Sequence, residues 1–162
     1  MILGLSIGAF TAFHTLISLL AIVAGFVVLA LLIAGRMARA VTALFLVTSI
    51  LTDVTGFMFY KGSFGAPYIV GVVSMIVLLL ACYALYGAKL AGAWRGTWVV
   101  CAVIGLYLNC FVAVVQAFGK LPPLHRLAPT GSEPPFAIAQ GLTLVVFIVL
   151  GTLAFRRFRP KP

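Results

Sequence analysis

The sequence predicts an all-α integral membrane bundle of about five transmembrane helices. Of its 162 residues 64% are hydrophobic and only 8% are charged, with a mean hydropathy of +1.27, whereas a soluble domain carries roughly 25% charged residues. No charged residue occurs from Met1 to Gly35, although about 20 apolar residues already cross a hydrocarbon core as a helix. Further apolar segments of this length follow, and they must be helical because lipid offers no partners for backbone groups.

Polar stretches define the spans in order. The first ends at "GRMARA", the second at "KGSFGAPY" and the third at "KLAGAWRGT", while the fourth precedes the longest loop and the fifth precedes "RRFRPKP". Because the first span lacks a basic leader and exceeds the length of a signal-peptide core, we expect a retained helix in a single domain, 1–162. The predicted spans are about 10–34, 40–60, 67–88, 97–118 and 136–155, with a loop at about 119–135.

The basic residues predict the orientation. Cytoplasmic loops carry the excess of Lys and Arg, so we expect the N-terminus outside and the C-terminus in the cytoplasm, with Trp94 and Trp98 at the inner interface. Eight basic residues fall on the predicted cytoplasmic side and three on the other: Arg36, Arg39, Lys89, Arg95, Arg156, Arg157, Arg159 and Lys161, against Lys61, Lys120 and Arg126.

Asp53 is one of only two acidic residues in the chain and falls within the second span, while His14 falls within the first. Both lie in the predicted outer half, on helices joined by a short loop. Each belongs to a stripe of small residues, which are typical of close helix contacts in membranes, so we expect both side chains to face the bundle interior and to contact each other. An intramembrane carboxylate is a candidate functional group. The alternative is that both side chains only fix helix packing.

Other polar side chains of the spans also fall in the predicted outer half. Thr52 lies beside Asp53, Asn109 and Gln116 are seven residues apart on one face of span 4, and Gln140 is near the outer end of span 5. Together they predict a small polar pocket that opens outward. Interhelical hydrogen bonding is the alternative role of Asn109 and Gln116.

The loop at about 119–135 is rich in proline, which restricts the backbone and predicts an ordered lid over this pocket. His125 and Glu133 are its candidate functional residues, and Glu133 directly precedes span 5, where a negative charge stabilises a helix N-terminus. The alternative for both is an ordinary solvated side chain.

The sequence contains no motif that fixes a reaction or a cofactor, so the cofactor stays open. Any metal site would use His14, Asp53, His125 and Glu133, a mixed set that suits zinc, manganese or iron, although their spacing is not that of a metal motif. The three cysteines fall in apolar runs without ligand spacing. The basic residues are spread over loops, which excludes a nucleic-acid-binding face.

Three functions fit these observations. The leading hypothesis is a non-enzymatic membrane protein that binds a hydrophobic ligand or cofactor, or serves as an accessory subunit of a larger membrane complex or as a homo-oligomer. The second is a proton- or cation-coupled transporter or channel that uses Asp53 with His14. The third is a membrane metalloenzyme or redox protein.

A resemblance that extends over most of the chain is carried by four stretches: "FHTLISLLAIVAGFVVL", "LAGAWR", "LYLNCFVAVVQAF" and "LAPTGSEPPFAIAQ". In these stretches the chain resembles a family of small polytopic inner-membrane proteins from bacterial genomes, a family without an assigned activity. The resemblance implies a multi-pass location in a bacterial inner membrane and assigns no functional residue.

Overall fold

The computed structural model describes residues 1–59 and 65–159. These residues form an all-helical chain without a β-strand, and five of their helices are long and apolar enough to span a membrane. The predicted fold class is therefore confirmed. The helices are α1 (Ile7–Ile33), α2 (Arg39–Phe57), α3 (Ala66–Cys82), α4 (Trp94–Lys120), α5 (Pro122–Leu127) and α6 (Pro134–Arg157), and a π-helical turn (Tyr83–Gly87) extends α3.

The bounds of the spanning helices agree with the predicted spans to within a few residues. The predicted end of span 2 at residue 60, and the basic residues Lys61 and Lys161, lie outside the described residues. The predicted loop differs from the structure, because α4 continues to Lys120 and the short helix α5 follows it. Proline at the first turn favours such a helix, since its missing N–H would be unpaired there in any case.

Local chemistry sets both ends of α1. The Ser6 side chain accepts a hydrogen bond from the Ala9 N–H and so caps the N-terminus. At the other end Gly35 has a positive φ of 70°, and the N–H of Arg36 donates to the Leu31 carbonyl at 2.8 Å. This is a Schellman cap, for which glycine is favoured because it adopts the left-handed conformation without a steric cost.

Helices α1 and α4 hold the bundle together. Helix α4 packs against α1, α3 and α6, and α1 also packs against α2 and α6, while α2 packs against α3. The short connections make successive spanning helices antiparallel. Helices α1 to α4 form a four-helix unit, and α6 packs against α1 and α4. Helix α2 has two helical neighbours, α1 and α3.

The bundle divides along its length into two halves. The half that contains the C-terminal part of α1 and the N-terminal part of α4 holds the hydrophobic core, and we call it the apolar half. The opposite half contains the candidate site residues, and we call it the polar half. Buried side chains of the apolar half include Leu32, Phe45, Leu78, Trp98, Leu106 and Phe158, each no more than 2% exposed.

Trp98 and Gly25 illustrate how closely the apolar half is packed. Trp98 is fully buried among the helices, so its side chain packs in the core, whereas its depth at the inner interface stays a prediction. A Cβ added at Gly25 would lie 2.5 Å from Leu106 Cδ1 and 2.9 Å from the Phe45 ring. Small residues permit such close approach of membrane helices, where packing rather than hydrophobic transfer drives association.

Candidate functional site

Four polar side chains from three helices meet in the polar half, and we call them the Asp53 cluster: Ser49 and Asp53 of α2, Ser74 of α3 and Asn109 of α4. Ser49 is 0%, Ser74 3% and Asp53 9% exposed. Ser49 and Asp53 are four residues apart and therefore share one face of α2. The expectation that Asp53 faces the bundle interior is confirmed.

The cluster is joined by hydrogen bonding across helices. Asn109 Nδ2 donates to Ser49 Oγ at 3.0 Å, and the Ser74 side chain lies close to the Asp53 carboxyl. The second carboxyl oxygen, Asp53 Oδ2, is buried and has no hydrogen-bond partner. A buried acceptor without a partner is costly, because it has lost its hydration and gained nothing in return.

His14 does not join this cluster. Its Nδ1 forms a hydrogen bond with Thr55 Oγ1 at 2.7 Å, and its ring packs edge-on against Phe59 with the centroids 5.3 Å apart. The Phe59 ring also packs against Phe10, which is 1% exposed. Lys120, at the end of α4, is the charged group within electrostatic range of His14. The prediction of a contact between His14 and Asp53 is wrong.

The reason lies in the geometry of α2. Asp53 and Thr55 are two residues apart, which places their side chains about 200° apart around a helix with 3.6 residues per turn. Both are nevertheless buried, at 9% and 5% exposure, because α2 packs against α3 on one side and α1 on the other. Thr55 therefore faces His14 of α1, while Asp53 faces Ser74 of α3.

The remaining predicted pocket residues lie apart. Thr52 donates to the Thr48 carbonyl of its own helix at 2.8 Å, and Gln116 is exposed. Gln140 Nε2 donates to the Phe111 carbonyl at 3.1 Å and so ties α6 to α4, while its Oε1 is buried without a partner. Of the predicted residues in α4 and α6, only Asn109 belongs to the Asp53 cluster.

The loop that was expected to form a lid is ordered around Glu133. Its Oε1 accepts from the Thr130 N–H at 3.1 Å and the Thr130 hydroxyl at 2.9 Å, and its Oε2 accepts from the Ser132 N–H at 3.1 Å. Desolvation acts to raise the pKa of the Glu133 carboxyl, but the hydrogen bonds from Thr130 and Ser132 outweigh it and lower the pKa below its usual value. His125 is exposed on α5.

The four side chains of the metal hypothesis have different surroundings. His14 bonds Thr55, Asp53 lies beside Ser74, Glu133 bonds Thr130 and Ser132, and His125 is exposed. Across residues 1–59 and 65–159 no three His, Cys, Asp or Glu side chains are grouped so that they could hold a metal ion. The described geometry therefore gives no support to a metal centre built from these residues.

A cavity of about 460 Å³ lies in the apolar half, between α4 and α6, and none of the predicted site residues lines it. Asp53, by contrast, is nine-tenths buried in a packed cluster. The outward opening of a polar pocket at this carboxyl stays a prediction.

Ser74 is the member of the cluster that the sequence analysis missed. It was identifiable from spacing, because Gly71, Ser74, Leu78 and Ala81 follow the i, i+3, i+7, i+10 pattern of one helix face. Three of these four residues are buried. A serine on the interior face of an otherwise apolar helix is a candidate partner for an intramembrane acid.

The chain was compared with protein-family models, curated proteins and solved structures, and no match was found in any of the three comparisons.

Proposed function

We propose that this chain is a non-enzymatic membrane protein whose polar half binds a hydrophobic ligand that carries a hydrogen-bond donor or a positive charge. Asp53 is the group that receives the donor. The observation that carries the proposal is the buried Oδ2 atom without a partner. Ionisable groups inside membrane proteins are costly and mark functional sites, and a ligand that donates to Oδ2 would satisfy the acceptor that the protein leaves unpaired.

The surroundings of Asp53 support binding at a defined position. Ser74 of α3 lies close to the carboxyl, and the bond between Asn109 and Ser49 fixes α4 against α2 one helical turn away. The side chains that flank the carboxyl are therefore held by other helices before a ligand arrives. Such preorganisation lowers the entropic cost of binding.

Native mass spectrometry on protein extracted gently from its own host tests the proposal. We expect wild type to carry a reproducible additional mass, and we expect Asp53→Asn to lose it because the amide replaces one acceptor oxygen by a donor. Glu133→Gln is the matched control, since Glu133 is the second of only two acids and lies outside the Asp53 cluster. The Glu133→Gln variant should carry the same additional mass as wild type.

The outcomes separate the alternatives. A bare wild-type protein would overturn the ligand hypothesis, and a bound protein partner that Asp53→Asn does not release would favour an accessory subunit instead. Thermal unfolding of Asp53→Asn in the same detergent establishes whether the variant is folded, so that loss of the ligand is not confused with loss of the structure.

Proton- or cation-coupled transport is the competing function for the same carboxyl. It requires a polar route through the other half of the bundle, where Leu78, Trp98 and Leu106 are each no more than 1% exposed. This packing favours binding over transport. Flux in proteoliposomes that depends on pH in wild type and disappears in Asp53→Asn would reverse that preference.

The proposed location is a bacterial inner membrane, which rests on the family resemblance. The proposed orientation places the apolar half toward the cytoplasm, because most of the basic residues belong to the connections and the terminus at that end of the bundle. The ligand site of the polar half would then belong to the outer leaflet.

A further inference from the structure

A groove of about 460 Å³ runs between α4 and α6 in the apolar half. Ile104, Ile148 and Phe155 line it and are 37%, 58% and 42% exposed, so the groove opens to the lipid-facing surface of the bundle. Its lining is otherwise apolar, with polar side chains from Tyr107, Thr152 and Arg156, of which only Arg156 is charged. The volume is in the range of about 300–1,000 Å³ that is typical of ligand pockets.

The charged end of the groove is basic without a compensating acid. Arg156 is exposed in the last turn of α6, next to Arg157 and Arg159 in sequence. Both acidic residues of the chain, Asp53 and Glu133, belong to the opposite half. Among the described residues, therefore, no carboxylate is available to pair with Arg156 at this end.

Arg95 differs from Arg156 because it is already engaged. It donates to the carbonyls of Phe155 and Phe158, and its guanidinium lies 5.3 Å from the centroid of the Phe155 ring. It thereby satisfies carbonyls at the C-terminal end of α6, where a cation is favoured. Arg156 is the arginine that lines the groove, and it is therefore the one placed to bind an anion there.

We propose that this groove binds an anionic phospholipid, with one acyl chain between α4 and α6 and the phosphate on Arg156. A guanidinium binds phosphate through two parallel hydrogen bonds, and basic pockets between membrane helices are sites for anionic headgroups. A flexible acyl chain fits a hollow that is lined by Ile104, Ile148 and Phe155. The site shares no residue with the Asp53 cluster and goes beyond the function proposed for it.

Titration of delipidated protein by native mass spectrometry tests this site. Phosphatidylglycerol and phosphatidylcholine with the same acyl chains separate the effect of the anionic headgroup from that of the chain. We expect wild type to bind one phosphatidylglycerol more tightly than phosphatidylcholine. Arg156→Gln should weaken phosphatidylglycerol binding about fivefold, whereas Arg157→Gln, which removes the same charge beside the groove, should leave it unchanged.

A second pair of variants tests the acyl-chain part of the site. Ile148→Trp fills the groove and should weaken the binding of both lipids, whereas Val149→Trp adds the same side chain at an exposed position of α6 that does not line the groove. All four variants alter exposed side chains, and thermal unfolding checks that each is folded.

Three results would overturn the proposal. Equal binding of the two lipids by wild type would show that the site has no headgroup preference. Equal losses of phosphatidylglycerol affinity in Arg156→Gln and Arg157→Gln would show that general charge attraction, rather than a contact with Arg156, causes the preference. A protein partner or a second copy that competes with phosphatidylglycerol, and whose binding Ile148→Trp abolishes, would make the groove a protein interface instead.

Discussion

The two halves of this bundle are held together by different interactions. In the apolar half, large side chains such as Phe45, Leu78 and Trp98 interdigitate and are almost completely buried. In the polar half, hydrogen bonds between side chains also join the helices, as between Asn109 and Ser49 at 3.0 Å, beside aromatic contacts such as that of Phe10 with Phe59. Lipid gives no hydrophobic driving force for helix association, so close packing of side chains stabilises the apolar half. The polar half can therefore hold polar groups that pack less closely, such as Asp53.

The comparison also explains why we interpret a buried polar atom without a hydrogen-bond partner differently in the two halves. Trp98 Nε1 is buried without a partner in the apolar half, but it belongs to a ring whose large contact surface outweighs one lost hydrogen bond. Asp53 Oδ2 belongs to a small, ionisable group. Its burial is not offset by packing, which is why we connect it with a ligand.

The largest effect should come from removing a core side chain of the apolar half. Phe45→Ala should lower the free energy of unfolding by about 3–5 kcal/mol, because the cavity cannot be filled by the surrounding helices. Phe13→Ala is the control of the same residue type, since Phe13 is 45% exposed whereas Phe45 is 1% exposed. Thermal unfolding in detergent, followed by circular dichroism, measures both, and equal shifts would contradict the assignment of the core.

A smaller effect is expected in the polar half. Asn109→Ala should lower the free energy of unfolding by about 0.6–2 kcal/mol, the range of interhelical hydrogen bonds in membranes. Gln116→Ala, on the same helix but exposed, should have no effect. A double-mutant cycle with Ser49→Ala isolates the bond itself, and a coupling energy near zero would show that packing, rather than hydrogen bonding, joins α2 and α4 here.

The smallest effect should concern the loop at the polar end. Because the pKa of Glu133 is lowered by its hydrogen bonds, its contribution to loop stability is present above the unfolded-state pKa. The contribution is lost as the pH falls through the lowered folded-state pKa. At neutral pH the amides of Thr130 and Ser132 should exchange hydrogen more slowly in wild type than in Glu133→Gln. Under acidic conditions the two proteins should become alike, and a difference that does not depend on pH would contradict this account.

The candidate site was only partly predictable from the sequence. An acid inside an apolar span identified Asp53, and a stripe of small residues on α2 predicted that it faces the interior. Helical periodicity could not select its partner, since α2 is buried on two sides and Asp53 and Thr55 face different neighbours. His14 was therefore assigned to the wrong residue of α2, and Ser74 was not selected at all.

The sequence by itself determined the class of fold, because the length and apolarity of each segment allow only a helix in lipid. It also determined the helix ends that local chemistry sets, such as the glycine cap at Gly35. Only the tertiary structure decided that α6 packs against α1 and α4, and that the resulting groove ends at Arg156. Side chains from segments distant in sequence meet according to helix rotation and neighbour choice, which depend on the packing of the whole bundle.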